Sequence, residues 1–322
     1  MARTLGIGKQ DFEKVRKENA FYIDKTKFIR EWWESEDDVT LITRPRRFGK
    51  TLNMNMLEKF FSVQYAGRED LFQGLAIWDD EKYRMLQGTY PVISLSFANV
   101  KEKSYAATVR RINQILANLY SANRFLLYNG NLDDREKNFF LSVDVGMDET
   151  TATMAIHQLS FFLSRYYEKK VMILLDEYDT PMQEAYVNGY WDELVSFTRS
   201  MFNAAFKTNF CLERAIMTGI TRVSKESIFS DLNNLEVVTT TSEKYADCFG
   251  FREEEVFAVL DEYGLSEKRQ EVKTWYDGFT FGKQKDIYNP WSILNYLDKR
   301  QIGTYWANSS SNSLAGKLIR EG

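Results

Sequence analysis

The chain has 322 residues, 44% hydrophobic and 15% aromatic, enough to fill one large core and a smaller one. A net charge of −4 and a pI near 5.4 exclude a general nucleic-acid coat, so any such contact has to be local. Two cysteines, Cys211 and Cys248, and one histidine, His157, exclude a disulfide framework and a zinc site, and no run approaches the roughly 18 apolar residues of a membrane span. A soluble cytoplasmic protein without membrane contact is expected.

From the N-terminus, residues 8–38 hold a short helical pattern. Phe28, Ile29, Trp32 and Trp33 then recur at helical spacing, with Asp24 placed to cap that helix. Next comes Val39-Thr-Leu-Ile-Thr-Arg-Pro-Arg-Arg-Phe-Gly-Lys-Thr51, followed by helix formers to Phe61. It reads as strand, phosphate loop, helix. In such a loop backbone N–H groups and the helix N-terminus converge on phosphate oxygens. Lys50 would reach the β- and γ-phosphates and the Thr51 hydroxyl would sit on Mg²⁺. Gly49 lets the main chain approach the ligand. The full pattern G-x-x-x-x-G-K-[ST] asks for glycine at position 44, where this chain has arginine. Arg44, Arg46, Arg47 and Lys50 put four cations in seven residues, so an anion is the natural guest. The plainer alternative is a basic surface turn.

Residues 71–84 read as a loop with a short helix, and Pro91-Val-Ile-Ser-Leu-Ser-Phe97 as a strand. Val109, Ile112, Ile115, Leu116 and Leu119 mark a long helix. Residues 128–137 read as a solvated loop, and 151–168 as an amphipathic helix carrying His157 as a partly packed residue. Val171-Met-Ile-Leu-Leu-Asp-Glu177 has five apolar residues without alternation, as in a strand buried on both faces, and ends in two acids. Asp176 would hold Mg²⁺, usually through water, and Glu177 would act as general base on the attacking water. An acidic turn after a strand is the alternative. A helical segment over 182–210 precedes Arg214-Ala-Ile-Met-Thr-Gly-Ile-Thr-Arg222, a strand and glycine turn. Thr218 there could sense the γ-phosphate or orient water, and Arg222 could neutralise developing charge or make a surface ion pair. Residues 235–241 are a fifth strand candidate.

From about residue 246 the pattern changes to charged helices over 252–263 and 266–276, a hairpin-like 276–282, a helix from Pro290 to Leu297 and a turn-rich end. This predicts a smaller, mainly helical, lid-like domain over 246–322 behind a larger one over 1–245. Asp261 with Glu271-Val-Lys273 faintly echoes a metal-nuclease pattern. On a helix, however, residues two apart do not converge, and a solvated face is the default.

Strand candidates at 39–43, 92–97, 171–175, 214–218 and 235–241, with helices between, predict an α/β fold: a parallel five-stranded sheet flanked by helices, of the P-loop NTPase kind. The nucleotide would lie over the strands' carboxyl ends. The segments Phe21-Tyr-Ile-Asp-Lys-Thr26, Leu41–Leu52, Tyr90–Phe97, Leu175-Asp-Glu-Tyr-Asp-Thr-Pro181, Thr218-Gly-Ile-Thr-Arg222 and Ile287-Tyr-Asn-Pro-Trp291 together resemble the bacterial AAA-ATPase-like family over about residues 6–306. In that family arginine is characteristic at the position of Arg44. Longer members are similar but continue into a PD-(D/E)xK nuclease-like domain. These 322 residues do not reach one, as expected of a shortened form or of a member without it, and no nuclease activity is carried over.

The resemblance and the motifs together imply a Mg²⁺-dependent ATPase working as a nucleotide-driven switch. Arg46, Arg47, Phe48, Gly49, Lys50, Thr51 and Leu52 would form the ATP site, Thr51 and Asp176 would serve the metal, and Glu177, Thr218 and Arg222 would serve catalysis. Two other readings stand beside it: a non-hydrolysing module that binds a nucleotide or a nucleic-acid phosphate, and the ATPase half of a nuclease-linked defence or mobile-element protein. The second would bring a nucleic-acid or nuclease-domain partner, and a homo-oligomer is compatible with either.

Overall fold

The structure is a computed structural model, and it describes residues 3–129, 131–221 and 228–309. By main-chain contacts the chain divides into two compact units. One comprises Asp37–Ile42 and Tyr90–Val237; the other takes in residues up to Glu36, Thr43–Thr89 and the chain from Val238 on.

The first unit is built on five parallel strands: β1 (Val39–Thr43), β2 (Val92–Ser96), β3 (Val171–Asp176), β4 (Leu212–Gly219) and β5 (Leu235–Val238), in the order β2-β3-β4-β1-β5. Thr43 and Val238, the last residues of β1 and β5, already belong to the other unit. Every residue of β1 and β3 is buried, which is why neither alternates in sequence: both faces meet apolar neighbours. At the edge, β2 alternates instead, with Ile93 and Leu95 buried and Ser94 and Ser96 exposed. Ile93 lies opposite Ile173 and Ile173 opposite Ala215. Helices Tyr105–Ala122, Glu149–Tyr167 and Trp191–Phe202 supply Ile112, Leu116, Ile156, Leu159, Phe197 and Met201 to the same cluster of buried side chains. Parallel strands share one direction, so the carboxyl ends of β1, β3 and β4 fall on one edge of the sheet.

Residues 128–137 are not simply a loop, because a helix runs over Asp134–Ser142. Asp133 accepts the Glu136 N–H while the Glu136 carboxylate accepts that of Asp133, a reciprocal cap that turns an apparently solvated acidic run into a helix start. The 182–210 segment is likewise two helices, Thr180–Asn188 and Trp191–Phe202, separated at Gly189, whose φ is +83°.

In the second unit helices Phe12–Lys17, Lys27–Glu34 and Lys50–Phe61 accompany Glu253–Glu262, Arg269–Tyr276 and Pro290–Lys299. The C-terminal part also contains an antiparallel sheet: β6 (Phe251–Arg252), β7 (Phe279–Phe281) and β8 (Gln284–Tyr288), ordered β6-β8-β7. The polar run Gln284-Lys-Asp carries no strand signal and is held by pairing with its neighbours. Its hairpin needs Gly282, at φ +56°, where a Cβ would stand 2.8 Å from Glu243 Cα. Asp24 does not cap the following helix directly: it accepts the Thr26 N–H on one oxygen and the Ala76 N–H on the other. Among the described residues, no helix is long and apolar enough to cross a membrane.

Ile173 is fully buried at the centre of β3. Ile173→Ala is expected to cost about 2–5 kcal/mol of unfolding free energy, measurable as a lower urea midpoint.

Candidate functional site: a clasped phosphate loop and an acid-tipped strand

The loop after β1 is shaped by two residues in left-handed conformation, Arg47 at φ +67° and Gly49 at φ +83°. Gly49 starts the helix Lys50–Phe61, and a Cβ there would meet nothing within 4 Å, so the main chain borders open space. The carbonyls of residues 44 to 48 are all engaged. Lys50 Nζ, on a side chain that is nearly buried, donates to Arg44 O and Pro45 O, both at 2.9 Å. Trp306 Nε1 donates to Arg46 O at 3.0 Å, and Asn289 Nδ2 lies 3.3 Å from Arg46 O and 3.5 Å from Arg47 O. The Gly250 N–H donates to Phe48 O at 3.3 Å. In a planar trans peptide the following N–H points away from the carbonyl. The amides of Arg47, Phe48 and Gly49 are therefore turned from these donors, and what this segment offers a ligand is N–H.

Arg44 does not point to an anion. It is fully buried, and its guanidinium donates to the carbonyls of Thr239 at 2.6 Å, Thr43 at 3.1 Å and Tyr245 at 3.3 Å. Its Cζ lies 4.7 Å from the ring centre of Phe281 and 5.6 Å from that of Phe249. Burial pushes its pKa down to about 10, which leaves it charged at neutral pH. Phe48 is enclosed by Phe279 and Phe281, at ring-centre distances of 4.8 and 5.3 Å. Of the other loop arginines, Arg46 is half-buried; Arg47 is exposed and rests its guanidinium 4.4 Å over Trp291. Thr51 and Leu52 are half-buried on the first helical turn.

At the end of β3, Asp176 is buried and accepts a hydrogen bond from Thr218 Oγ1, itself without exposure. Thr218 thus holds the carboxylate of Asp176. Glu177 follows at φ +52°, a left-handed conformation that a glutamate rarely takes, and its Oε2 accepts from Thr180 Oγ1 at 3.2 Å. The bend turns Glu177 out of the strand to half-exposure while Asp176 stays inside.

In sequence Asp179 reads as part of an ordinary acidic turn. It is fully buried, and its Oδ2 accepts from the N–H groups of Ile220 and Thr221, Thr221 Oγ1 and Gln183 Nε2 at 2.6–3.0 Å. Tyr178 OH adds a bond to Thr221 O at 2.9 Å. Only glycine fits at 219, since a Cβ would lie 2.7 Å from Asp179 Oδ1. The turn after β4 is thereby fixed up to Thr221. Arg222 lies outside the described residues. The one available signal was the spacing of Asp176 and Asp179 around a buried Tyr178, which spacing alone does not interpret.

Two other acidic groupings are crossed by lysines: Lys27 pairs with Glu31 and Asp247, and Lys273 with Glu253 and Asp286. The Asp261, Glu271 and Lys273 set goes to three separate partners, Arg269, Lys268 and Glu253, as on a solvated face.

A family described as "Predicted AAA-ATPase" matches residues 6–229, about seven-tenths of the chain. The chain belongs to that AAA-ATPase family. The matched stretch carries the phosphate loop, the acid-tipped β3 and Thr218, but ends before Asn289 and Trp306. The AAA-ATPase chain is also 26% identical over 321 residues to a protein of Azotobacter chroococcum mcd 1 described as an "uncharacterized protein in vnfD 5'region". That alignment covers 99% of this chain and 56% of the relative, so the chain spans just over half of the relative's length.

Two variants test this geometry. Arg44→Gly restores the general loop pattern yet is expected to destabilise the protein by about 3 kcal/mol in denaturant unfolding, because buried carbonyls lose their donors. Glu177→Gly should do the opposite and raise stability by about 1 kcal/mol by releasing the left-handed strain.

Proposed function

We propose that the protein binds ATP with Mg²⁺ and hydrolyses it, working as a nucleotide-driven switch. The observation that carries this reading is the loop whose carbonyls are engaged by the protein and whose following amides are turned away from those donors, as suits phosphate oxygens. Membership in the AAA-ATPase family supports it. The open space at Gly49 suits close approach of a polyphosphate.

Lys50 exchanges the carbonyls of Arg44 and Pro45 for the β- and γ-phosphates, and Thr51 and Leu52 add their amides at the helix start. Thr51 Oγ1 and the Asp176 carboxylate would each offer Mg²⁺ the oxygen ligands it prefers. When bound, Mg²⁺ neutralises charge on the β- and γ-phosphates. Asp176 is held in place by Thr218, while Glu177, turned outward by its own backbone, accepts the proton of the attacking water. Arg46, or Arg47 released from Trp291, adds positive charge beside the γ-phosphate. Loss of that phosphate would remove its contacts to Lys50 and the loop amides, which would give the switch its two states.

ATP binding and phosphate release with Mg²⁺ test the reading. Wild type should bind and turn over. Lys50→Ala should lose binding, whereas Glu177→Gln should keep it and lose turnover by about a hundredfold or more. Binding without turnover in wild type would leave a nucleotide-binding module in place of an enzyme.

A further inference from the structure

Asn289 comes from the segment Ile287-Tyr-Asn-Pro-Trp291, to which phosphate chemistry assigns no task. It is 2% exposed, and both ends of its amide are in use. Oδ1 accepts the Ser292 N–H and so caps the helix Pro290–Lys299, while Nδ2 donates toward Arg46 O and Arg47 O. The two partners fix which end is which: turned over, the amide would lose the cap and set its oxygen against two carbonyls. Pro290, at the first helical position, pins the adjoining backbone. Trp306 Nε1 reaches the same Arg46 O, so both lone pairs of that oxygen have a donor.

A phosphate loop must keep its carbonyls away from the phosphates, because an oxygen turned inward would repel the anion it is meant to hold. Helix geometry orients the amides of residues 50–52 through the helix Lys50–Phe61, but residues 46–48 precede that helix and need an external hold. Asn289 and Trp306 provide it.

We propose that Asn289 is a positioning residue for nucleotide binding, which holds the Arg46 and Arg47 carbonyls outward so that the amides of Arg47 and Phe48 face the phosphates, with Trp306 as its second donor. This rests on the ATP-binding reading above. It makes the C-terminal region a support for the loop, in place of a cover that acts only after the nucleotide arrives.

Asn289→Asp separates this role from helix capping, since aspartate caps as well as asparagine but brings a carboxylate and no donor to the two carbonyls. The folded variant is expected to bind MgATP about tenfold more weakly and to raise KM with kcat little changed, because Asp176 and Glu177 are untouched. Amide hydrogen exchange of residues 46–49 should quicken even without nucleotide, a change that simple loss of a cap would not produce. Trp306→Phe, on a 37% exposed side chain, removes one donor and leaves the cap alone; about threefold weaker binding is expected. An unchanged Kd in Asn289→Asp overturns the proposal, and should that variant not fold, an unchanged Kd in Trp306→Phe does so instead. Wild type that binds no MgATP overturns the ATP reading itself and the positioning role with it, a result distinct from either variant outcome.

Discussion

The guanidinium of Arg44 occupies the point at which other phosphate loops turn on a glycine, and the loop is arranged around how that charge is accommodated. Moving a cation out of water costs several kcal/mol unless it is fully met by partners. Among the described residues, the hydrogen-bond partners of Arg44 are main-chain carbonyls, at Thr43, Thr239, Lys244 and Tyr245, backed by the faces of Phe249 and Phe281. Carbonyl dipoles and ring faces accommodate the terminal nitrogens of this guanidinium without a carboxylate among its described hydrogen-bond partners, and its buried Nε is left without a partner among the described residues. A glycine would free the chain; this arginine ties it to segments that follow some 200 residues later.

The same division of labour recurs at the end of β3. Asp176 is buried and held by Thr218, a hydroxyl that fixes a carboxylate in one orientation. Glu177, one residue on, is driven outward by a left-handed φ that its side chain does not favour. Asp179 and Tyr178 then bind the turn after β4 through four hydrogen bonds to residues 220 and 221. One short segment, Asp176–Asp179, thus presents one acid inward, one outward and one as a brace for the neighbouring strand end. Three acids of similar chemistry are separated in role by backbone geometry and burial alone.

Local signals account for most of the fold that was expected. β1 and β3 could be read because a strand buried on both faces must be apolar at every position, and the five-stranded parallel sheet follows from such runs spaced by helices. Polar segments misled. Residues 133–136 read as loop because a reciprocal acidic cap resembles a solvated turn in composition. Gln284–Tyr288 gave no strand signal because its pairing with β6 and β7 supplies what its side chains lack. Family resemblance singled out Ile287–Trp291, but no property of that segment by itself pointed to the carbonyls of Arg46 and Arg47.

The sequence by itself determined the five strands of the parallel sheet, the basic Gly-Lys-Thr loop and the acids that end β3, since each is written in neighbouring residues. Only the tertiary structure decided what holds them. Arg44 finds Thr239, Asn289 finds Arg46 and Trp306 finds Arg46 across separations of 195, 243 and 260 residues. No local pattern encodes a partner at such distance: a buried polar group takes whichever donors or acceptors the finished fold brings to it, and its role is set when that choice is made.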